Sequence, residues 1–544
     1  MLPISRDYQS LYQQFEWVIP KRFNIAEAIS SRWANEKPDA TAIVHKQDDG
    51  TVRYVSFAEM DRLANKIANF LKARGVKAGD RVAVVLPQVP ETPAAHIAIY
   101  KLGAIAVPMA MLFGADGLQF RLENSGAKAV IISQGSVEKI ASVRDKLPEL
   151  KTVICVDGGY DKDESVFDLY AELEKQDDGD EVFACADTGP DDPALMIYTS
   201  GTTGPPKGAL HGHRVLLGHL PGVQFAHEFF PQDGDMMWTP ADWAWAGGLL
   251  NVMLPSLYCG VPVVAHKFEK FTAEQAWKLL AELPIANVFI PPTALKMMRA
   301  VPVGDYREQL SLRTLFSGGE AVGQQLQNWA REELGLHINE VYGQTECNLV
   351  IESCGKLGVL KNGAIGKPVP GAQVAIVDDK GCEVAQGEPG NIAVKRPHPV
   401  MFLEYWGKPQ ATVEKYIGDW LITGDQGVVD EEGYFHFVGR DDDIITSSGY
   451  RIGPGEIEDC LLGHEAVKLV AVVGKPDELR TEIVVAFIVL SDGFSESDEL
   501  VDEIKAYVKT RLAAHEYPRE IVFRDSLPLT TTGKIIRRLL RDEF

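Results

Sequence analysis

The stretch IYTSGTTGPPKGALHGHR, residues 197–214, interrupts an apolar run with a segment that has almost no large side chains. Residues 199–206 are all Ser, Thr, Gly or Pro, and Lys207 follows before the chain becomes apolar again. Glycines in such a segment let backbone N–H groups converge on an anion. The hydroxyls of Ser200, Thr202 and Thr203 add donors, and Lys207 adds a full positive charge. The segment therefore predicts a loop that binds a triphosphate.

Two lysines next to glycines, Lys207 before Gly208 and Lys534 after Gly533, invite comparison with a P-loop. That motif requires Gly-Lys followed by Ser or Thr. Gly208 follows Lys207, and Ile535 follows Lys534 in the later stretch TTTGKIIRR. A P-loop nucleotide site is therefore excluded by the spacing.

The composition is that of an acidic globular protein. The chain has 544 residues, of which 45% are hydrophobic and 24% charged, and its formal net charge is -23. This length predicts roughly two to four domains. The acidic balance argues against nucleic acid and anionic membrane surfaces as partners. An anionic ligand would need a pocket in which positive charge is concentrated.

The seven cysteines are scattered, and none forms a C-x-x-C pair. This usage predicts a reducing compartment, with neither a disulfide framework nor a cysteine-based zinc site. The first 23 residues lack the apolar core of a secretion signal, and no apolar stretch is long enough for a membrane span. We therefore expect a cytoplasmic protein without a membrane span.

Apolar strands alternate with helical patterns through the first part of the chain, as in DRVAVVLP at residues 80–87. Continuous apolar strands between helices are typical of a parallel sheet buried on both faces. Short alternating strands with Gly and Pro turns predict a β-rich subdomain at about 360–435. The fold class is α/β, with an N-terminal domain over 1–440, a hinge at 441–443 and a small mobile α+β domain over 444–544.

The string YTSGTTGPPKG at residues 198–208 resembles the phosphate-binding signature of the adenylate-forming superfamily, which includes acyl-CoA synthetases, luciferases and peptide-synthetase adenylation domains. Further motifs follow in the family's order: SGGEAV at 317–322, VYGQTE at 341–346, WLITGD at 420–425, GRDDDIITSSGYRIGPGEIE at 439–458 and LPLTTTGKIIRR at 527–538. The resemblance runs from about residue 25 to the C-terminus. Each of these residues alone could be an ordinary surface group, and the ordered set carries the prediction.

The resemblance implies a role for each matching residue. Tyr342 would stack on adenine, Thr345 would contact the α-phosphate, and Glu346 would hold Mg²⁺. Asp425 would bind the ribose hydroxyls, with Arg440 beside them. The expected catalytic residues are Lys534, Thr202, Glu346 and Lys207. The other expected ATP or AMP contacts are Thr199, Ser200, Gly201, Thr203, Gly204, Gly319, Glu320, Ala321, Gly343, Gln344 and Arg451.

The chemistry explains why cations are needed. A carboxylate that attacks the α-phosphate of ATP meets repulsion between two anions, which is large in a dry site. A lysine that reaches both groups removes this repulsion and stabilises the transition state. We assign that role to Lys534, and we assign the β- and γ-phosphates to Lys207, the loop amides and Mg²⁺ on Glu346.

In the resembling family, a second half-reaction transfers the acyl group from AMP to the thiol of coenzyme A. The small C-terminal domain rotates between the two steps, with Asp442 as the hinge. Ser448 and Gly449 would then flank the pantetheine tunnel, where a larger side chain would obstruct the thiol. Such a rotation replaces the lysine by the thiol in one rigid-body movement.

The sequence gives weaker evidence on which carboxylic acid is the substrate. Acetyl-CoA synthetases carry tryptophan just before their Gln-Thr-Glu, and Gly343 stands there in this chain. We therefore expect an acid larger than acetate, either medium-chain, branched or aryl. Trp243 and Trp245 either line its pocket or belong to the core. Thr446 stands where luciferase-like and coumarate-ligase-like branches commonly have lysine, which favours the acetyl-CoA and medium-chain synthetase branch. The N-terminal segment at residues 7–29 resembles bacterial medium-chain acyl-CoA synthetases.

Two alternatives to an acid:CoA ligase remain open. An adenylating enzyme could load a carrier protein instead of coenzyme A, although no carrier domain is fused to this chain. A nucleotide-binding sensor without turnover is less compatible with the joint presence of Lys534, Glu346 and Asp425. The expected partners are the acid, ATP and coenzyme A, and homo-oligomerisation stays open.

Overall fold

The computed structural model describes residues 2–159, 165–199, 205–440, 443–447, 450–477, 480–512, 516–530 and 534–544. The strands of these residues form four sheets. Two large sheets and a smaller antiparallel one belong to a large N-terminal domain, and the fourth belongs to a smaller C-terminal domain. The predicted α/β fold class, with its β-rich part and its small α+β domain, is confirmed.

The eight-stranded sheet contains the two strands on either side of the glycine-rich segment. Its strands lie in the order Glu404–Tyr405, Lys207–Gly212, Pro193–Thr199, Ile105–Pro108, Arg81–Val85, Ala129–Ile132, Thr152–Cys155 and Val166–Asp168. The last six strands of this order pair in parallel, and the first three form antiparallel pairs. Several of the apolar runs are buried throughout, as the sequence predicts for a sheet covered on both faces.

The nine-stranded sheet has a parallel centre with antiparallel pairs at both edges. Its strands lie in the order Lys367–Pro368, Cys347–Glu352, Ile338–Gln344, Thr314–Gly318, Asn287–Phe289, Met237–Trp238, Val263–Ala265, Thr41–Lys46 and Val52–Ser56. The SGGEAV motif begins where Thr314–Gly318 ends, and VYGQTE spans the turn between Ile338–Gln344 and Cys347–Glu352. The carboxyl ends of neighbouring strands thus bring the two motifs together.

The third and fourth sheets are mainly antiparallel. The third contains Val374–Val377, Gly390–Lys395, Trp420–Val429 and Tyr416–Ile417, and Phe435–Arg440 pairs with Trp420–Val429. The fourth contains Tyr450–Ile452, Ile445–Ser447, Thr481–Leu490 and Val467–Asp477, and Glu520–Phe523 pairs in parallel with Thr481–Leu490. The third sheet positions WLITGD, while the fourth is the platform of the C-terminal domain.

Helices cover the sheets. The α-helices are Tyr8–Gln14, Arg32–Glu36, Phe57–Ala73, Glu91–Lys101, Ala115–Ser125, Gln134–Ala141, Leu169–Leu173, Val215–Ala226, Ala246–Gly248, Leu254–Cys259, Ala273–Glu282, Pro292–Arg299, Gln324–Trp329, Pro409–Glu414, Pro454–Leu461, Asp498–Lys509 and Arg537–Arg541. Within the described residues, no helix combines the length and the apolar character that a bilayer crossing requires.

The helix Phe57–Ala73 shows how local sequence fixes an element. The Ser56 hydroxyl accepts a hydrogen bond of 3.1 Å from the backbone N–H of Glu59, which is the N-terminal cap that the Ser-Glu spacing predicts. The helix ends just before Gly75, whose φ of +88° turns the chain away. Its apolar face packs into the core between the sheets.

A buried ion pair joins this helix to its neighbour Glu91–Lys101. The Lys101 side chain is 1% exposed, and its ammonium donates to Asp61 Oδ1 at 2.7 Å and to Asn65 Oδ1 at 2.5 Å. Burial raises the pKa of Asp61, but Lys101 and the hydroxyls of Ser30 and Ser31 outweigh it, so that the pKa is lowered overall. The carboxylate is therefore ionised at neutral pH and compensates the buried cation.

We expect Asp61→Asn to destabilise the N-terminal domain by about 3 kcal/mol at pH 7, because it leaves the Lys101 ammonium buried without a counter-charge. Since the folded pKa of Asp61 is depressed, its stabilising contribution is present above the unfolded pKa and disappears as the pH falls through the folded value. The wild type and the variant should therefore converge in acid. Urea denaturation from pH 7 downwards measures this.

Asp49→Asn is the matched control, because Asp49 is exposed and bonds only within its own turn. The double replacement Asp61→Leu with Lys101→Met should recover much of the loss, because it removes both charges. Equal effects of Asp61→Asn and Asp49→Asn would contradict a stabilising role of the buried pair.

Candidate active site

The two strands on either side of the glycine-rich segment form an antiparallel pair. Thr199 lies opposite Lys207 at the open end of the pair formed by Pro193–Thr199 and Lys207–Gly212. Ser200, Gly201, Thr202, Thr203 and Gly204 lie outside the described residues. The Lys207 ammonium lies 5.0 Å from the centre of the Tyr405 ring, whose strand pairs with Lys207–Gly212. The hairpin thus directs Lys207 towards the VYGQTE turn.

Glu346 is a buried carboxylate with a neutral donor. It is 8% exposed, and the Tyr405 hydroxyl donates a hydrogen bond to its Oε1. Burial raises the pKa of Tyr405, and the negative charge of Glu346 raises it further, so that the phenol keeps its proton. Thr345 lies half-buried beside Glu346, at the turn between the two strands. Tyr405 therefore holds one oxygen of Glu346 in place.

A second tyrosine supports a second carboxylate. The Tyr342 hydroxyl donates to Asp425 Oδ2 at 2.6 Å. Burial raises the pKa of Asp425, while the bond from Tyr342 and the charges of Arg440 and Lys415 act in the opposite direction. Asp425 and Arg440 are direct partners in the antiparallel pair of Trp420–Val429 with Phe435–Arg440. This register explains how two motifs fifteen residues apart come to lie side by side.

The Thr423 carbonyl joins three segments. It accepts a hydrogen bond of 3.0 Å from Gln344 Nε2 and another of 3.0 Å from Lys415 Nζ. The Thr423 hydroxyl donates to the carbonyl of Ile392 at 2.7 Å and accepts from the N–H of Asp425 at 3.1 Å. Gln344 thus holds the bend that carries Asp425.

Lys415 and Tyr405 belong to none of the family motifs, and the sequence analysis missed both. Burial lowers the pKa of Lys415, and the carboxylates of Glu346 and Asp425 oppose that effect. Lys415 therefore adds positive charge between the two carboxylates. No local pattern marks it, because its position follows from the hairpin of Tyr416–Ile417 with Trp420–Val429.

Lys534, in the C-terminal domain, reaches the SGGEAV segment of the N-terminal domain. A Cβ atom built on Gly319 would lie 3.7 Å from Lys534 Nζ, and Gly319 has a φ of +93°. Although Lys534 remains in contact with solvent, surrounding protein lowers the pKa of its ammonium, and the nearby Glu320 partly opposes this. Glu320 Oε2 accepts a bond of 3.1 Å from the Thr293 hydroxyl. The structure therefore brings Lys534 to the edge where the motifs meet.

Some expected residues can be located only in part. Ala321 is exposed at the end of the SGGEAV segment. Arg451 belongs to the strand Tyr450–Ile452, opposite Thr446. The expected hinge residue Asp442 and the expected tunnel residues Ser448 and Gly449 lie outside the described residues.

The expected acyl-pocket tryptophans differ in exposure. Trp243 is 1% exposed and belongs to the main core, and among the described residues its indole N–H has no partner. Trp245 is half-buried and meets Phe113 edge-to-face, with ring centres 5.8 Å apart. Burial raises the pKa of Asp242, the residue before Trp243, to about 6. Trp245 is the better placed of the two to contact a ligand.

The expectation that Gly343 opens the floor of this pocket needs correction. A Cβ atom at Gly343 would lie 2.6 Å from both Asn348 Cα and Leu349 N. Backbone already fills that space, so close packing accounts for the glycine. The absence of a side chain at Gly343 therefore says nothing about the depth of the pocket.

Comparison with known proteins finds two family models and near full-length relatives that match the chain. The family model described as AMP-binding enzyme matches residues 30–406, and the model described as AMP-binding enzyme C-terminal domain matches residues 456–534. The human mitochondrial acyl-coenzyme A synthetase ACSM4 is 34% identical, with 96% of this chain and 91% of the relative covered. An acetyl-coenzyme A synthetase of Bacillus subtilis is also 34% identical, with 98% and 95% covered.

Solved structures of a CoA ligase and an acyl-CoA synthetase resemble nearly the whole chain. A crystal structure of the anthranilate CoA ligase AuaEII with anthranoyl-AMP has a TM-score of 0.87 and 28% identity, with 96% of this chain and 98% of that chain covered. An acyl-CoA synthetase of Brucella canis has a TM-score of 0.76 and 31% identity, with 99% of each chain covered.

We expect Tyr342→Phe to destabilise the protein by about 2 kcal/mol near neutral pH, because it removes a hydrogen bond to a buried carboxylate. Its loss should raise the pKa of Asp425 further. Loss of the hydrogen bond destabilises mainly the protein with ionised Asp425. The difference in unfolding free energy between the variant and the wild type should therefore shrink as the pH falls and Asp425 becomes protonated. Denaturation at a series of pH values from neutral downwards measures this difference.

Tyr54→Phe is the control, because Tyr54 is 59% exposed. A difference between wild type and Tyr342→Phe that does not change with pH would argue against an interaction between Tyr342 and an ionised Asp425.

Proposed function

The chain belongs to the AMP-binding enzyme family and is an AMP-forming acyl-CoA ligase, and from that premise we propose how its residues divide the work between two half-reactions. In the first, a carboxylate oxygen of the acid attacks the α-phosphorus of ATP, and the bond to pyrophosphate breaks. In the second, the thiol of coenzyme A attacks the acyl carbonyl of the adenylate, and AMP leaves. The comparisons with acyl-CoA synthetases favour coenzyme A over a carrier protein as the acceptor.

Lys534 is the cation of the first half-reaction. Its proximity to Gly319 is the observation that best supports this role, because it is a basic group of the C-terminal domain at the motif edge. The lowered pKa reflects a partly dehydrated ammonium, for which contact with two anions is favourable. Lys534 then offsets the repulsion between the incoming carboxylate and the α-phosphate.

The other residues of the site are assigned to the adenine, ribose and phosphate groups of ATP. Tyr342 stacks on adenine while its hydroxyl stabilises the ionised form of Asp425, which binds the ribose hydroxyls with Arg440 alongside. Lys207 and the glycine-rich loop hold the β- and γ-phosphates. Lys415 adds positive charge between Glu346 and Asp425, and thereby lowers their mutual repulsion.

Magnesium fits the side chain of Glu346. Among the described residues, no cluster of three or more His, Cys, Asp or Glu side chains suits a metal. Mg²⁺ commonly uses one or two carboxylates together with substrate phosphates and water. The Tyr405 hydroxyl donates to one oxygen of Glu346, and the ion would take the other. The ion would supply charge neutralisation for the phosphates.

For the second half-reaction the C-terminal domain rotates about Asp442, which withdraws Lys534 and brings Ser448 and Gly449 to the tunnel for coenzyme A. We place the enzyme in the cytoplasm, because all seven cysteines are free thiols.

The acid is larger than acetate, either medium-chain, branched or aryl. The support is Trp245, whose contact with Phe113 presents an aromatic surface at the expected pocket. The named relatives and structures include acetyl-CoA and anthranilate enzymes, so their similarity alone does not select an acid.

Acid-dependent ATP–pyrophosphate exchange without coenzyme A tests adenylation, and thioester formation from supplied acyl-adenylate tests the second step. We expect Lys534→Ala to lower exchange by about a hundredfold or more, since it removes a transition-state charge contact. Thioester formation should stay within about twofold, because Lys534 is withdrawn at that stage. Lys468→Ala, an exposed lysine of the same domain, is the control. A parallel loss of both steps would contradict this assignment.

We expect Trp245→Ala to shift the acid preference towards longer chains, because truncation enlarges the pocket. The change in kcat/KM for each added methylene should be about tenfold or more. Trp245→Phe should give an intermediate profile. The measurement is a panel of straight-chain acids from two to ten carbons together with aryl acids. An unchanged profile would place the acyl pocket elsewhere.

A further inference from the structure

The C-terminal domain touches the N-terminal domain at a second place, four residues beyond Gly319. A Cβ atom built on Gly323 would lie 2.3 Å from Asp459 Oδ1 and 3.2 Å from its Cγ. Gly323 also has a φ of +78°, a conformation that favours glycine. Asp459 lies on the helix Pro454–Leu461. Its carboxylate thus occupies the space that a side chain at residue 323 would need.

The interactions that favour this carboxylate come from the other domain. Burial raises the pKa of Asp459, whereas the backbone N–H of Gln324 and the charges of Lys296 and Arg299 lower it. Arg299 also donates to Gln325 Oε1 at 2.7 Å. When the two domains separate, Asp459 loses this set of partners.

The acidic groups near Asp459 weaken the contact only in part. Burial raises the pKa of Glu340 to about 7, and Asp459 contributes to that shift. Glu340 accepts a hydrogen bond of 3.3 Å from the N–H of Val322, next to Gly323. On the helix of Asp459 itself, burial also raises the pKa of Glu456, with help from Glu516 and Asp459. The cations of the helix Pro292–Arg299 provide the opposing attraction.

The helix of Asp459 is tied to the segment of Lys534 within the C-terminal domain. Glu458 accepts from Arg537 Nη2 at 2.7 Å on one oxygen and at 2.9 Å on the other, and Arg537 lies three residues after Lys534. Asp443 accepts from Arg537 at 3.3 Å and from Arg541 at 2.8 Å. These half-buried ion pairs hold the helix of Asp459 and the segment of Lys534 in a fixed relative position.

We propose that Asp459 and Gly323 form a docking contact that seats the C-terminal domain for the adenylation step. One contact, at Gly319, leaves the domain free to pivot about it. A second contact on the same segment fixes the direction from which Lys534 approaches. This inference rests on the proposed role of Lys534. Asp459 is a positioning residue, because its contact is with Gly323 and the cations around it rather than with the motif residues.

A docking contact of this kind acts on one half-reaction. Asp459→Asn keeps the shape of the side chain and removes its charge, so acid-dependent ATP–pyrophosphate exchange should fall by about tenfold, a typical size for coupling between two sites. The loss should appear in kcat, with KM for ATP nearly unchanged, since no nucleotide contact is altered. Thioester formation from supplied acyl-adenylate and coenzyme A should stay within about twofold of wild type or increase.

Glu465→Gln provides the matched control, because Glu465 is an exposed acid shortly after the same helix. Gly323→Ala tests the contact from the N-terminal domain, because its methyl group would meet the Asp459 carboxylate. If both residues serve one contact, Gly323→Ala combined with Asp459→Ala should lose no more exchange than the worse single variant. Independent effects would multiply instead.

The outcomes distinguish a failure of the docking role from a failure of the proposed function. Equal losses in both half-reactions, or no loss in either, would overturn the docking role, and so would multiplicative effects in the double variant. A wild-type enzyme that shows no acid-dependent exchange would contradict the proposed function itself, whatever the variants do.

Discussion

The repulsion between a carboxylate and a triphosphate is the constraint on which the site depends. A protein with a net charge of -23 adds to that repulsion unless its cations are concentrated where the anions meet. The chain directs Lys207 from a hairpin, Lys415 from the β-rich sheet and Lys534 from the other domain to the same edge of the large sheets. Because Lys534 comes from the other domain, its charge can be placed independently of Lys207 and Lys415, which one fixed cluster would not allow.

The same constraint explains the two tyrosines. Glu346 is a buried carboxylate and Asp425 a partly buried one, and burial raises the pKa of Asp425. Cations close enough to pair with them would be lost to the substrate, since a paired lysine offers less to a phosphate. Tyr405 and Tyr342 instead donate from neutral hydroxyls whose pKa values burial raises. Neutral donors stabilise the two carboxylates without placing a further cation beside them.

The sequence predicted those parts of the structure that depend on local patterns. Continuous apolar runs predicted the buried strands of a parallel sheet, and short alternating strands predicted the β-rich part. Contacts made across strand pairs could not be predicted in this way. Lys415 meets the Thr423 carbonyl only because the chain folds back in a hairpin, and Asp459 meets Gly323 only because two domains touch. Gly343 shows the converse error, since a family difference suggested an open pocket where backbone atoms lie 2.6 Å away.

The strengths of the contacts within and between the domains differ in a way that suits alternation. Inside the C-terminal domain, Arg537 is held by Glu458 and Asp443 in charge-assisted bonds, so Lys534 moves together with the helix of Asp459. Between the domains, burial destabilises the Asp459 carboxylate, and attraction to Lys296 and Arg299 offsets only part of this effect. The pKa of Asp459 is therefore raised. A contact whose gain is nearly cancelled by dehydration can orient the domain without trapping it. A strong inter-domain ion pair at this position would hold Lys534 over the adenylate and delay the entry of the thiol.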